Sequence, residues 1–447
     1  MSWPPAFPIL TVLVWTPAVG ALLSAVPGEK QAALRRMLSI GFAALSLALA
    51  SALALTFETF EPGASPRELR RWIPALGLSY DLSVDGFGSI LVLWVALLAL
   101  LALLSTGSRE LGRRATCFIL LAETAILGLL TAGDGALFLA FYGAGLLVLT
   151  LFLGRIEEMK TFFFFQSAGA ALAVVYLAIS YHLTWVQTGF PSAEIARLPS
   201  LVIFPDVQSR MFLLGAAVVA FAAPLFPFTS WVSSATSALA TPGRLLLLGG
   251  WSLAGTLFFV RAVLPSHARA EGALVVMALV AVSLLYAGIA TRVSWAPLLA
   301  AFQGLVVLGL LSPTAEGVAA GRAGMLQLAL ALSTLALGTA DSDDARGPAS
   351  TGGIAVAMLL PASFLVLREQ WTTAPATTAL AGLGLFLIML RLVSLVLMLK
   401  TPRTLLALSR RRIVLLLPLV GFWIFSLLAP SRFIPADSKA PATAVEE

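Results

Sequence analysis

The chain has 447 residues, of which 59% are hydrophobic and 11% charged, and a formal net charge of +6. Soluble domains carry roughly 45–50% apolar and 25% charged residues, so this composition excludes a soluble enzyme and describes a polytopic membrane protein. The positive balance reads as loop Lys and Arg meeting lipid headgroups rather than as a nucleic-acid surface.

In chain order, apolar runs of spanning length predict about fourteen transmembrane helices. They fall near 7–26, 37–57, 86–106, 115–132, 135–153, 162–181, 211–228, 245–264, 272–290, 296–312, 322–339, 353–367, 377–399 and 413–429. The first run lacks a basic flank, so it reads as a retained helix and not a cleaved signal. Connections 58–85 and 182–210 mix charge with Pro and Gly and read as amphipathic or interfacial pieces. The polar tail after residue 430 reads as disordered.

Loops after odd-numbered helices carry the excess of Lys and Arg, among them Lys30, Arg35, Arg36, Arg113, Arg114, Arg155 and Lys160. The positive-inside rule then places both termini on the non-cytoplasmic side of a bacterial inner membrane. Soluble catalytic signatures (GxxxxGK, GxSxG, CxxC, HExxH) do not occur. The single cysteine, Cys117, leaves no thiolate metal site and no internal disulfide. Nothing here can ligate an iron–sulfur cluster or hold a flavin, so no cofactor, metal site or redox catalysis is expected in this chain. Nucleic acid is likewise not an expected partner.

Chemistry inside a bilayer is carried by ionisable groups, which are costly to bury there. The interior candidates are Glu123, Arg261, Arg368, Glu369 and Arg391, with Asp85 and Asp134 at segment edges. All four lysines (Lys30, Lys160, Lys400, Lys439) fall in loops, at helix ends or in the tail. Arg does not release its proton in a protein, so Glu123 and Glu369 are the titratable relay candidates, with Asp134 at the edge. Glu123 has two readings, a surviving relay group or a protonated carboxyl bonded to a neighbouring helix. Glu369 with Arg368 reads as an interfacial ion pair. Arg391 reads as that pair's partner or as a lipid-phosphate ligand. Asp134 reads as part of a short outward turn.

The stretch "FAAPLFPFTSWVSSATSALATPG" (221–243) puts Pro224 and Pro227 inside an apolar run, with a hydroxyl cluster from Thr229 onward. Proline removes an amide donor and breaks the helix. A second interruption stands at Pro361. Paired, Pro-interrupted segments in two halves mark a transporter core, yet the first carries no charge until Arg244. A plainer reading of the hydroxyls is that they only satisfy backbone groups freed by the break. The "TFFFFQ" run at 161–166 reads as lipid- or partner-facing bulk.

The order of these motifs resembles the antiporter-like membrane subunits of respiratory complex I, the M-type (chain 4) above all, and their Mrp cation/proton antiporter relatives. "RWIPALGLSYDLSVDGFG" is similar to the family's entry motif through Trp72, Pro74, Asp85 and Gly86. "LLAETAILGLLTAGDGALFLAFYG" keeps Glu123, Gly128 and Asp134. "APLFPFTSW" resembles its first broken helix, with Arg261 ending the next helix, and "LPASFLVLRE" its second, with Pro361 and Glu369. The resemblance covers about residues 70 to 430. It implies an all-α bundle of about 14 helices built on two inverted repeats, each with a broken helix. The implied divisions are 1–106 (N-terminal helices and loop), 107–264 and 265–400 (the two repeats), 401–430 (C-terminal helix) and 431–447 (tail).

The departures bear on function. Where the family places a Glu in its fifth helix this chain has Gly143, and its lysines fall on Ala222, Leu253 and Pro297; histidine and aspartate positions become Thr229, Ser234, Thr236 and Val307. The resemblance therefore implies a structural or coupling subunit of a complex I-like or Mrp-type assembly, with other membrane subunits and the bilayer as partners. Two alternatives stay open: a proton or cation translocator using Glu123 and internal water, or the membrane partner of a large soluble protein in inorganic-carbon uptake.

Overall fold

The computed structural model describes residues 8–56, 66–105, 112–223, 225, 227–267, 273–289, 295–338, 363, 365–369 and 410–428. Among them the chain forms α1 (Ile9–Ala25), α2 (Ala32–Thr56), β1 (Arg67–Ile73), β2 (Leu78–Ser83), α3 (Gly86–Leu104), α4 (Arg113–Thr131), α5 (Gly135–Leu153) and α6 (Ile156–Thr188). These are followed by α7 (Pro205–Ala222) and α8 (Ser230–Ala238). Helix α9 is the long apolar segment Thr241–Ser266. The described chain ends with α10 (Ala273–Ile289), α11 (Trp295–Leu310), α12 (Ala315–Gly338) and α13 (Arg410–Leu428). Six described helices are long and apolar enough to cross a membrane (α2, α3, α4, α5, α6 and α9). The predicted run at 377–399 lies outside the described residues, as does most of that at 353–367.

Among the described residues the bundle is helical, with one two-stranded sheet against the all-α expectation. Connection 58–85 contains an antiparallel hairpin, β1 against β2, pairing Arg67 with Ser83 and Leu69 with Asp81. Polar residues there obscure any apolar alternation, which is why the sequence showed no strand. Gly77 turns the chain at φ 60°, and a Cβ at that position would run into the carbonyl of Pro191. The Arg67 guanidinium donates to both carboxylate oxygens of Asp81, at 2.9 and 2.7 Å. That paired fork is the strong form of a charge-assisted bond.

The hairpin holds the helix ends on its side of the bundle. Helix α1 starts after Pro8 without a side-chain cap of its own. Glu68 of β1 supplies one, accepting from the amides of Leu10 (2.6 Å) and Thr11 (3.0 Å) and from the Thr11 hydroxyl (2.6 Å). A carboxylate there answers the orphan amides and the positive end of the helix dipole.

Two predicted spans change length for identifiable reasons. Helix α6 runs over 33 residues instead of 162–181, because Glu157 and Glu158 suit its first turn and the next breaker is Gly189. Helix α7 stops at Ala222 instead of running on to 228, because Ala223 precedes Pro224 and adopts an extended conformation, φ −95° and ψ 149°. At the centre, α9 is the most enclosed of the spans.

Removing the α1 cap has a defined cost. Glu68→Ala is expected to lower stability by about 1–2 kcal/mol. Thermal unfolding of the purified chain in mild detergent checks it, with the exposed Glu157→Ala as the near-neutral control.

Candidate functional site

The site is the region where α7 breaks and α9 passes. Helix α9 is interrupted by two π-helical turns, Leu247–Trp251 and Phe259–Val263. A π-turn loosens the regular carbonyl ladder and often marks a functional position. Each turn here receives an aromatic donor from a neighbouring helix. The Trp94 indole N–H of α3 donates to the Gly249 carbonyl at 2.8 Å, and the Tyr176 hydroxyl of α6 to the Ala262 carbonyl at 3.0 Å. All four residues are buried.

The broken helix is served in the same way. Its last helical carbonyl, at Ala222, accepts from Gln166 Nε2 at 3.3 Å. The other end of that amide, Gln166 Oε1, accepts from the Tyr142 hydroxyl at 2.9 Å and from the Trp251 indole at 3.1 Å. Gln166 is fully buried. Thus α5, α6, α7 and α9 meet on one uncharged amide whose donor and acceptor sides are both used. A second neutral link lies farther along α9, where Gln303 Nε2 of α11 donates to Thr256 Oγ1 at 2.6 Å.

Ala222 is also sterically confined. A Cβ on Gly255 would lie 2.8 Å from the Ala222 Cβ, and one on Gly169 would lie 3.3 Å from the Ala222 amide. Two glycines let three backbones close around this position, which leaves little room for a longer side chain.

Other candidate residues are placed as follows. Leu253 is buried just beyond the first π-turn. Gly143 faces outward on α5 with nothing within 4 Å of where a Cβ would stand. Its neighbour Tyr142 provides the interior contact instead. Pro297 is the third residue of α11, a first-turn position that proline tolerates. Thr229 is buried at the start of α8, and the Thr236 hydroxyl turns back to the Val232 carbonyl at 2.7 Å. Pro227 lies in the connection between α7 and α8, whereas Pro224, Pro361 and Arg391 lie outside the described residues.

Among the acids, Asp134 caps α5, accepting from Ala136 N at 2.8 Å, and also accepts from Ser79 N at 3.0 Å. Burial raises its pKa, against the lowering effect of those amides. Glu369 accepts from the Thr314 hydroxyl at 3.1 Å, with Arg368 3.9 Å away. Arg261 joins α9 to the ends of α4 and β2 by donating to the Leu130 carbonyl at 2.9 Å and to Ser83 Oγ at 3.1 Å. Glu123 stands apart from the Gln166 cluster. It is fully enclosed on α4 beside Ser46 of α2, and neither carboxyl oxygen is in hydrogen-bonding geometry with a partner. Ala125 meets the Gly145–Trp251 contact; two residues along a helix turn a side chain by about 200°, so Glu123 points to a different face.

Sequence reasoning passed over Gln166, Tyr142, Trp251, Trp94 and Tyr176. One signal was available, since Gln166, Gln303 and Gln327 are amides set inside strongly apolar helices.

No family model matches the chain. Subunit M of the NADH-quinone oxidoreductase of Rhodobacter capsulatus is 27% identical over 275 residues, covering 58% of this chain and 53% of that one. The match thus spans about half that relative's length. Chain 4-2 of the NAD(P)H-quinone oxidoreductase of Synechocystis is 26% identical over 406 residues, 85% of this chain and 70% of the relative. The fold matches a chain of respiratory complex I from Thermus thermophilus with a TM-score of 0.72, at 22% identity and 94% coverage of both chains. It also matches a chain of the Mrp complex from Dietzia (TM-score 0.74, 19% identity, 97% of this chain and 51% of that one). The chain thus resembles M-type (chain 4) quinone-oxidoreductase subunits in sequence and shares its fold with chains of complex I and of the Mrp complex. A chain of the archaeal membrane-bound sulfane sulfur reductase shares the fold, with a TM-score of 0.72 and 16% identity over 95% of this chain and 76% of that one. With six described helices long and apolar enough to cross a membrane and relatives that are membrane subunits, the protein is an integral membrane protein.

Restoring a lysine at the break is expected to fail. Ala222→Lys should cost roughly 3 kcal/mol or more, because it buries an unpaired charge in a full site. Gln166→Leu should cost about 1–3 kcal/mol by stranding two donors and one acceptor. Thermal unfolding in detergent reads both, and a smaller loss for Ala222→Lys than for Gln166→Leu would contradict the packing argument.

Proposed function

We propose that this chain is a structural or coupling subunit of a complex I-like or Mrp-type membrane assembly and does not itself conduct protons along a lysine axis. The observation that carries this reading is the Gln166 cluster. At the broken helix of the antiporter-like fold stands a neutral amide whose oxygen and nitrogen are both hydrogen-bonded. A transported proton needs groups that exchange it, and burial must bring their pKa values near the working pH. Gln, Trp and backbone carbonyls do not titrate in that range. In this reading the bundle has about fourteen spans in two inverted repeats, over 107–264 and 265–400, and lies in a bacterial inner membrane with both termini outside. Electron carriers belong to partner subunits, a view supported by the single cysteine of this chain.

A second reading rests on Glu123, a fully buried carboxyl whose oxygens lack hydrogen-bond partners. It makes the chain a translocator that uses Glu123 and internal water. Proton uptake into proteoliposomes under an imposed membrane potential separates the two. The structural reading expects flux equal to protein-free liposomes for the wild type and for Glu123→Gln. Flux above that background, abolished by Glu123→Gln, would establish the translocator.

Partners are tested separately, by affinity purification from native membranes in gentle detergent with mass spectrometry of what remains bound. Redox or hydrogenase subunits together with other antiporter-like chains are the expected result. Recovery of the chain alone would sink the assembly reading and favour the Glu123 translocator, and recovery with one large soluble protein would sink it in favour of the inorganic-carbon alternative.

A further inference from the structure

Strand β1 brings an arginine to the flank of α1. The strand register sets Arg70 directly opposite Tyr80 of β2, so the two side chains leave the same face of the sheet. The Tyr80 hydroxyl accepts from the Trp15 indole N–H of α1 at 3.1 Å. Glu68, two residues before Arg70 and on that same face, caps α1 at Leu10 and Thr11. Two separate contacts therefore seat this face of the hairpin on the first turns of α1.

From Trp15 onward α1 carries an exposed apolar stripe. Trp15, Val19, Leu22 and Val26 are between 46% and 78% exposed, while Leu13, Val14 and Ala21 are buried. Steps of four, three and four residues keep the stripe on one face of the helix. It is about 16 Å long, close to the roughly 15 Å of hydrocarbon in one leaflet. Trp and Tyr, which meet at its hairpin end, favour the membrane–water boundary. Arg70 is exposed and has no hydrogen bond or ion pair among the described residues. The described acids around the hairpin are engaged elsewhere. Glu68 serves α1, Asp81 and Glu194 hold Arg67, Asp85 caps α3 and Asp134 caps α5. Glu58 and Glu61 lie outside the described residues.

We propose that Arg70 and the Trp15–Tyr80 pair bind the headgroup of an anionic phospholipid in the leaflet on the hairpin's side, with an acyl chain along the α1 stripe. The guanidinium supplies a forked donor matched to phosphate oxygens. The Tyr80 hydroxyl accepts from Trp15 and keeps its own proton to donate to the same phosphate. A lipid is favoured over a protein partner because a cation at the boundary is joined here to one leaflet's depth of apolar surface. Free phosphate shares the headgroup chemistry but gains nothing from the stripe. The site is independent of whether the chain conducts protons.

The test uses the full chain in nanodiscs of long-chain phosphatidylcholine and phosphatidylglycerol in equal amounts. Lipid retained after detergent extraction is counted by native mass spectrometry. The wild type is expected to keep phosphatidylglycerol in preference to phosphatidylcholine. Arg70→Gln, at an exposed strand position, should weaken that preference about fivefold, the factor given by roughly 1 kcal/mol per basic residue near an anionic surface. Arg71→Gln, equally exposed but on the opposite face of the sheet, should leave it unchanged. Neither inorganic phosphate nor short-chain dihexanoyl phosphatidylglycerol, at the concentration of the long-chain lipid, should displace what is retained. Equal retention of the two lipids would overturn the proposal and leave the stripe to ordinary lipid or a partner helix. An unchanged preference in Arg70→Gln would overturn it as well. An equal loss in Arg71→Gln would overturn it in favour of unspecific attraction to a basic hairpin. Displacement by either soluble competitor would overturn it in favour of a soluble-anion site.

Discussion

Inside a bilayer, backbone groups that leave the helical ladder must find partners within the protein, because no lipid atom can serve them. That constraint governs the middle of this bundle. Helix α7 ends early at Ala222 and α9 carries two π-turns. The Ala222, Gly249 and Ala262 carbonyls accept from Gln166, Trp94 and Tyr176 in turn. Those donors come from α3 and α6. The irregular helices are therefore tied to their neighbours at the points where regular hydrogen bonding lapses.

The same arrangement bears on function. An opening in a helix ladder is where a transporter can expose backbone dipoles to an ion or a water chain. Here the opening is closed by a neutral amide that also receives Tyr142 and Trp251. Glycines at 169 and 255 bring the surrounding backbones against Ala222. Hydrogen bonding and packing thus act in the same direction, toward a filled core rather than a wet path. Glu123 is the exception, a carboxyl enclosed on another face of α4.

The hairpin plays a comparable part at the membrane edge. Glu68 caps α1, Asp134 caps α5 while holding Ser79 of β2, and Arg261 joins α9 to Ser83. These polar residues link helix ends to one small sheet. Asp134 and Arg261 had been singled out as charges in or near the membrane, and the structure gives both a set of backbone partners. The opposite end has a different character, with Arg35 and Arg36 near the start of α2 and Arg113 and Arg114 at the start of α4.

What the sequence determined by itself was class and order. Long apolar runs require membrane helices because an exposed peptide group in lipid is prohibitively costly. Pro227, with Pro224 before it, forces a break through the missing amides alone. The motif order from Trp72 to Glu369 was enough to indicate the antiporter-like relatives. What only the tertiary structure decided was which side chains meet. Gln166 closes the run "TFFFFQ", of which Phe164 is 65% exposed while Gln166 is fully buried. Two residues along one helix end in lipid and in the core because they sit about 200° apart around its axis, and only packing against α5, α7 and α9 sets which face turns inward. The π-turns escaped because their donors, Trp94 and Tyr176, lie far away in the chain, and the hairpin because its polar residues hide the alternation of a strand.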